Sequence, residues 1–264
     1  DLGLFITPPL FPGWGHGTAH LEPEHRSKAL VFSAADVDGG SIAMDVPAPA
    51  KDQLPGQPWG FYMVSQPRRL DAVVAMGLKP DGTADPARRI DLTGRVRGER
   101  SFSTNPQLKL QADLPDGRWR LLAAWTGLTG QKCAAENNVP RTWIVDHLDR
   151  DAVQAYLRVT GDRYVKAFGG HFGQTIDSFF GDSYEIVQDF SYWSDGLFER
   201  FERIKGYDLR PYLPLLIHDG APETPYVRHD FGHFLHLMGM EGITQTLADY
   251  CAEHGVDMRQ QPHY

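Results

Sequence analysis

The sequence predicts an α/β fold in which part of a (β/α)8 TIM-type barrel carries an inserted antiparallel, β-sandwich-like domain. After about residue 133, apolar runs of strand length alternate with amphipathic helical patterns. Residues 28–132 instead hold short strand-like runs and no helical period. A third observation is the apolar run at 4–7, which matches the later strands. We therefore expect a barrel strand and active-site loop in 1–27, the inserted domain in 28–132, and the continuing barrel in 133–264.

Composition narrows the possible partners. The 264 residues are 41% hydrophobic and 23% charged, which is ordinary for a globular protein. A formal net charge of −8 without a long basic run argues against binding to nucleic acid or to an anionic membrane surface. No apolar run reaches the roughly 20 residues of a membrane span. Cys133 and Cys251 lack the spacing of a zinc or redox motif and leave the redox compartment open.

The inserted segment is predicted from its strand and turn pattern. Strand candidates recur at 29–32, 41–46, 60–64, 71–78, 90–92, 108–112 and 119–125. Turn residues separate them, among them Gly39-Gly40, Pro80-Asp81-Gly82 and Pro115-Asp116-Gly117. This spacing is typical of an antiparallel sandwich.

The C-terminal half predicts alternating strands and helices. A strand at 143–145 ends in Asp146 and His147, and Asp149 is placed to cap the helix that follows. Ser194 is expected to cap a second helix, which Gly206 closes. A last helix is predicted from about 227 to 254, and a strand over 256–260. This alternation favours one parallel sheet with right-handed crossovers.

The stretch from Thr175 to Ile186 is the candidate active-site segment. An apolar run of strand length ends at Gly181, and Asp182 and Glu185 follow with Tyr184 between them. Carboxylates at the end of a parallel strand lie where α/β barrels keep their active sites. A solvated loop with a helix-capping aspartate explains the same residues without any function.

An aromatic loop follows the first strand candidate. Residues 8–17 are rich in Pro and Gly and contain Trp14. An indole face can stack on the apolar face of a sugar ring, and it can equally pack in the core.

Five ordered stretches resemble glycoside hydrolases of family 106, the α-L-rhamnosidase-like enzymes. They are Gly127–Lys132, Val145–Leu148 followed by Asp151–Val153, Phe179–Glu185, Lys205–Pro214 and Gln261–His263, the last beside the family's usual Gln-Ala-His. The opening loop departs from the family, which usually shows Gly-Trp-Pro where this chain has Phe11–Gly17.

The resemblance implies a (β/α)8 catalytic barrel with β-sandwich domains and inverting hydrolysis of terminal α-L-rhamnosides from plant or microbial glycans. It also implies calcium dependence without an organic cofactor, and a periplasmic or extracellular location. By position it makes Glu185 the general acid and Asp182 an acidic partner that binds sugar or metal. The implied substrate-binding residues are Asp146, His147 and His263. Trp14, through its indole face, and Tyr184, between the two carboxylates, are also expected to contact substrate.

Inversion also places a demand on geometry. It needs an acid and a base on opposite faces of the sugar, roughly 6.5–9.5 Å apart. Asp182 and Glu185, three residues apart in one loop, lie on the same side. This pair therefore does not easily supply both roles. The resemblance implies a second catalytic glutamate downstream of Tyr264, in the remainder of the same polypeptide, and we expect the isolated chain to be inactive. A start at Asp1 without Met and an end without a tail are typical of a segment cut from a longer protein.

Two other classes of function stay open. His229, His233 and His236, with His254 nearby, have helical spacing that could hold a metal ion. The apolar residues lie on the opposite side of the predicted helix, which favours a solvent-facing histidine stripe instead. Alternatively, Trp59, Trp119 and Trp125 could form a carbohydrate-binding platform in a fragment without catalysis.

Overall fold

A computed structural model of the chain describes residues 6–8, 15–49, 67–133, 142–182 and 191–261. In that part the strands are β1 Gly17–Thr18, β2 Lys28–Asp45, β3 Arg68–Leu78, β4 Ala84–Asp91, β5 Val96–Arg97, β6 Lys109–Leu128, β7 Trp143–Ile144, β8 Ser178–Gly181, β9 Ser191–Trp193 and β10 Asp257–Gln260. The helices are α1 Arg150–Phe168, α2 Leu197–Lys205, α3 Pro214–Ile217, α4 Thr224–Gly239 and α5 Gln245–Glu253.

A curled antiparallel sheet dominates the first half of the chain. Its strands follow the order β4-β3-β6-β2-β9, and β5 pairs with the far end of β6. The predicted strand candidates from 29 onward are confirmed within these strands, except that residues 60–64 lie outside the described residues. Several candidates are joined, because β2 and β6 are continuous over 18 and 20 residues.

Two of the predicted turns are wrong. Gly39-Gly40 lies inside β2, and 115–117 lies inside β6. The β2–β6 register shifts here, because Asp38 pairs with Arg118 and Gly40 pairs with Leu114, so the extra residues of the bulge are 115–117 of β6, opposite Gly39. A Cβ at Gly39 would overlap the Pro115 carbonyl oxygen, which explains the glycine. The turn at Pro80-Asp81-Gly82 is confirmed, because Lys79 N donates to Thr83 O across it.

The sheet extends beyond the segment predicted as an insertion. β9, from the C-terminal half, pairs antiparallel with the start of β2. One face of the sheet then packs on the helices. The shared core contains Leu30, Ala72, Ala124, Trp193, Phe198, Phe201, Phe234 and Met238. Helices therefore cover the face that a sandwich would give to a second sheet, and no second sheet on that face is seen among the residues described.

Parallel β-structure is present, as predicted, but on a small scale. β8 and β10 pair in parallel, with Gly181 opposite Gln260. Residues 6–8 run beside β8 on its other side, since Ile6 forms a parallel bridge with Ile176 and Phe180 N donates to Pro8 O at 3.0 Å. A closed (β/α)8 barrel is not seen in the described ranges.

The strand predicted at 143–145 exists but does not join the parallel sheet. β7 pairs antiparallel with β1, with Gly17 opposite Ile144. A Cβ at Gly17 would overlap the Trp143 carbonyl oxygen, so the glycine permits this close pairing. Placement of this strand in the parallel sheet was therefore wrong.

The helices largely follow the prediction. The Asp149 side chain accepts from Asp151 N and caps α1, as expected. Ser194 does not cap α2, which begins after Gly196 at φ 70°. The predicted last helix is continuous from α4 to α5, but residues 240–244 between them form a π-helical segment. Within the ranges described, none of the helices is both long enough and apolar enough to cross a bilayer.

Candidate active site at the carboxyl ends of the parallel strands

The ends of β8 and β10 bring Asp182 and Gln260 together. Asp182 directly follows β8, where the sequence predicted it, and its side chain is partly exposed. The Gln260 side chain reaches across the strand ends and donates from Nε2 to the Asp182 backbone carbonyl. Gln261 N also donates to Gly181 O at 2.8 Å. The first residue of the acidic pair is therefore held by two contacts between neighbouring strand ends.

Two buried histidines lie beside this edge. His16 precedes β1 and His147 follows β7, and their ring centroids are 5.5 Å apart in an edge-to-face arrangement. Burial lowers the pKa of His147 to about 3. Burial, and then His147, lower the pKa of His16 well below its ordinary value, against an opposing hydrogen bond with Gln260. Both imidazoles are therefore neutral at pH 7, so each ring can donate one hydrogen bond and accept another without adding a charge.

A buried ion pair anchors the loop that carries His147. Asp146 is fully buried, and its carboxylate accepts from Lys28 Nζ at 3.0 Å, Ser194 Oγ at 2.7 Å and Leu148 N at 3.1 Å. Burial raises the pKa of the Asp146 carboxyl, whereas Lys28 and Ser194 act to lower it. For Lys28, the neighbouring Asp146 and Asp195 outweigh the effect of burial and raise its pKa. Ser194, predicted as a helix cap, is instead one of the groups that satisfy this buried carboxylate.

A series of ion pairs connects Lys28 to strand β3 of the antiparallel sheet. Asp195 lies 3.6 Å from Lys28 Nζ and 2.8 Å from an Arg69 guanidinium nitrogen, and Arg69 in turn lies 3.0 Å from Asp71. Burial raises the pKa of Asp71, although Arg69 and Thr126 oppose that effect. Charges therefore alternate in sign from the end of β7 to β3, so that each cation is shared by two carboxylates.

The π segment of the last helix packs against the same loop. A Cβ on Gly242 would overlap the backbone carbonyl of His147, so only glycine allows the helix to approach this closely. Single π turns inside α-helices are frequent at functional sites. The loop at His147 is thus held by the ion pair on one side and by the helix on the other.

The predicted site residues divide into two groups. Asp146, His147 and Asp182 lie within the described part of the chain. Trp14, Tyr184, Glu185 and His263 lie outside the described residues, and their contacts stay predictions. Asp146 and His147, predicted to contact substrate, are buried at 0% and 1% exposure.

Sequence reasoning missed Lys28, His16 and Gln260. A lysine and a glutamine within strands are ordinary on a solvated face, and nothing local to Lys28 indicates a partner more than one hundred residues away. One usable signal was the Gly181 position: a glycine ending a buried strand marks a close approach of some other group.

The described residues weaken both alternative functions. Trp119 and Trp125 are each 1% exposed and donate their indole N–H groups internally, to Pro115 O and Ser33 Oγ, so neither can stack on a sugar. Trp59 lies outside the described residues. His229, His233 and His236 are exposed on α4, as the surface interpretation predicted, and His233 Nδ1 lies 3.0 Å from the ammonium group of Lys205. A cation at that distance disfavours a second cation on the same ring.

Comparison with known proteins identifies the family. The sequence model of glycoside hydrolase family 106, described as alpha-L-rhamnosidase, matches residues 61–260. A curated protein of Formosa agariphila, named "Putative beta-glucuronidase", is 25% identical over an alignment that covers 100% of this chain and 24% of that protein.

The fold also resembles a solved structure. The rhamnosidase from Novosphingobium sp. PP1Y superposes with a TM-score of 0.61 at 17% identity, covering 98% of this chain and 39% of that one. The chain thus spans well under half the length of both proteins. With the family match extending over most of its residues, the chain belongs to glycoside hydrolase family 106, the α-L-rhamnosidase family.

Proposed function

We propose that this chain is part of a glycosidase that releases terminal α-L-rhamnose from plant or microbial glycans, and that it carries the general acid. The observation that carries the proposal is the position of Asp182 at the carboxyl end of β8, in a parallel pair, within a family 106 chain. Residues 6–8, β8 and β10 would then be strands of a (β/α)8 barrel that the rest of the polypeptide completes.

The proposed chemistry is inversion at the anomeric carbon. Glu185 protonates the glycosidic oxygen as the bond to the aglycone breaks, and Asp182 orients the sugar from the same side. A carboxylate outside this chain takes a proton from water on the opposite face, because inversion separates acid and base by about 6.5–9.5 Å. Trp14, Tyr184 and His263 are proposed to contact the sugar, and buried His147 and Asp146 to shape the wall behind it.

The general acid has a specific kinetic test. Removing a general acid typically costs about 10²–10⁴-fold in rate. Glu185→Gln should show that loss on a rhamnosyl disaccharide and a much smaller one on 4-nitrophenyl α-L-rhamnoside, because nitrophenolate leaves without a proton. Asp182→Asn should slow both substrates to a similar degree. Equal losses on both substrates in Glu185→Gln would rule out the acid role.

The need for a second carboxylate can be tested separately. We expect the 264-residue chain alone to be inactive and the full polypeptide that contains it to be active. Hydrolysis by the isolated chain that disappears in Glu185→Gln would refute the incomplete-site proposal.

A β-D-glucuronide is a second candidate substrate beside the α-L-rhamnoside, because one relative is named a putative beta-glucuronidase. A uronate carboxylate calls for a cation, and Lys28 and Arg69 beside the site are each already paired with two carboxylates. This arrangement favours the neutral rhamnoside. Parallel assays with nitrophenyl α-L-rhamnoside and β-D-glucuronide would decide between them.

Calcium dependence is part of the proposal on the family resemblance alone. In the described ranges, no three His, Cys, Asp or Glu side chains are grouped so as to hold a metal ion. Calcium also requires six to eight oxygen ligands. The described residues therefore do not form a calcium site, and no step above uses one. Activity lost in EGTA and restored by added Ca²⁺ would support the dependence.

A further inference from the structure

The carboxamide of Gln260 joins the ends of two strands. Its Nε2 group donates to the carbonyl of Asp182 after β8 and, at 3.2 Å, to that of Gln261 after β10. An amide NH₂ has two hydrogens, so these bonds use both. The oxygen Oε1 remains to accept, and Gln260 is hydrogen-bonded to His16. One side chain thus contacts two backbone carbonyls and an imidazole.

Strand alternation places this amide on the inner face of the parallel pair. Phe179 and Gly181 share a face of β8, and Met258 and Gln260 share that face of β10, because side chains alternate along a strand. Phe179 is fully buried and Met258 packs on the same core cluster. The Gln260 side chain therefore lies at the C-terminal end of this packed face, next to the backbone of Asp182.

Gly181 leaves the space that the amide occupies. A Cβ built on Gly181 would overlap Gln260 Oε1 and Cδ. The flexible end of Met258 is the other atom it would meet. No positive φ demands glycine here, because Gly181 is not among the glycines with left-handed backbone. The absence of a side chain at Gly181 is thus explained by the neighbouring carboxamide.

We propose that Gln260 is a positioning residue that fixes the backbone of Asp182 against β10, beside His16, and so sets where Asp182 lies at the end of β8. We call the contacts of Gln260 with Gly181, Asp182 and Gln261 the clamp. The effect of the clamp on rate rests on the proposed function, but the clamp itself consists of packing contacts and hydrogen bonds. It acts through Asp182 and does not itself touch the reacting atoms.

A double-mutant cycle tests the clamp without any substrate. In the wild-type background, Gly181→Ala forces the amide from its site and should lower Tm by about 3 °C or more. In a Gln260→Ala background the same substitution meets mainly the movable Met258 end, and Tm should change by about 1 °C or less. Equal Tm losses in the two backgrounds would overturn the clamp.

Kinetics of the full polypeptide then test the positioning role. Gln260→Met keeps the length but removes every hydrogen bond, and Gln260→Glu keeps the shape but removes both donors. Each should lower kcat about 10- to 100-fold with little change in KM, because misplacement by an ångström is that costly. Gln260→Asn, which retains an amide on a shorter stem, should recover part of the rate.

Arg259→Gln is the matched control on the same strand. Its side chain lies on the opposite face, is 61% exposed and pairs with Asp177 at 3.4 Å, so kcat should stay within about twofold. Unchanged kcat in folded Gln260→Met and Gln260→Glu would refute the positioning role. A wild-type full polypeptide inactive on every glycoside, with the Tm coupling still present, would instead refute the proposed function and leave the clamp standing.

Discussion

The Lys28 ammonium group lies 3.0 Å from Asp146 Oδ2, and the two side chains are 2% and 0% exposed. Removing one member of a buried pair leaves the other charge without compensation. Lys28→Met should therefore lower the free energy of unfolding by about 3–5 kcal/mol, as urea denaturation would measure.

The chain provides a matched exposed pair. Lys109 and Asp45 also form an ion pair between strands, but their side chains are 65% and 72% exposed. Lys109→Met should cost at most about 1 kcal/mol. Similar losses for the two lysine variants would mean that the Lys28 pair is not buried as described.

Gly242 should not tolerate a methyl group. Ala at this position would press against the His147 carbonyl and should cost about 1–3 kcal/mol, because the backbone that it meets cannot move aside easily. Gly232→Ala in α4 has open space around it and should stabilise by up to about 1 kcal/mol through helix propensity. Thermal unfolding of both variants measures the contrast, and a neutral Gly242→Ala would contradict the close approach.

His147 should make stability depend on pH. Burial lowers its pKa from 6.5 to about 3 in the folded protein, so the unfolded chain takes up the proton first as the pH falls. The contribution is complete above pH 6.5 and is lost as the pH drops below it. Between pH 7.5 and 5 the wild type should lose about 2 kcal/mol more than His147→Gln. Comparing the two proteins cancels the opposing contributions of Asp146 and Asp71, which they share.

His229→Gln is the control for that titration. Its side chain is 78% exposed, so folding changes its surroundings little, and this variant should follow the wild-type pH curve. A His147→Gln protein that also followed the wild-type curve would show that His147 is not buried and neutral.

The two thiols should be unreactive until the protein unfolds. Cys133 and Cys251 are both buried thiols, and burial, followed by Asp257, raises the pKa of Cys251 to about 11. Since the thiolate is the reactive form, Ellman's reagent should label the native protein slowly and should label two thiols per chain in urea. Rapid labelling of native protein would contradict this packing.

Local sequence signals predicted much of the secondary structure. The apolar stripe and Asp149 cap of α1 depend on neighbours within one or two turns, and so does the turn at Gly82. These features are determined by residues that are close together in sequence, and they are present in the structure.

Strand partnership could not be predicted in the same way. The two residues of β7 are compatible with either direction of pairing, and the observed pairing with β1 needs the space left by Gly17, far away in sequence. The glycines at 39–40 match a turn equally well, and only the register with β6 shows that they lie inside a strand, opposite a bulge. Periodicity reports which face of a strand is buried but does not report what covers it.

The candidate site was predictable where it depends on chain position. Asp182 was expected after a strand and lies there. Gln260 and Lys28 depend on pairing between distant segments, so their roles became visible only when β8 met β10 and when β2 met the loop after β7.

The pairing of β9 with β2 has a consequence for how the chain folds. One long side of β2 pairs with β6, and on its other side Lys28–Leu30 pair with residues 191–193, which are synthesised later than β6. During synthesis the start of β2 therefore presents free backbone donors and acceptors until most of the chain has emerged, and such an edge invites pairing with other chains. Closing it joins segments of high sequence separation, which slows folding. Pairing of residues 191–193 with Lys28–Leu30 thus covers a strand edge that could otherwise pair with another chain.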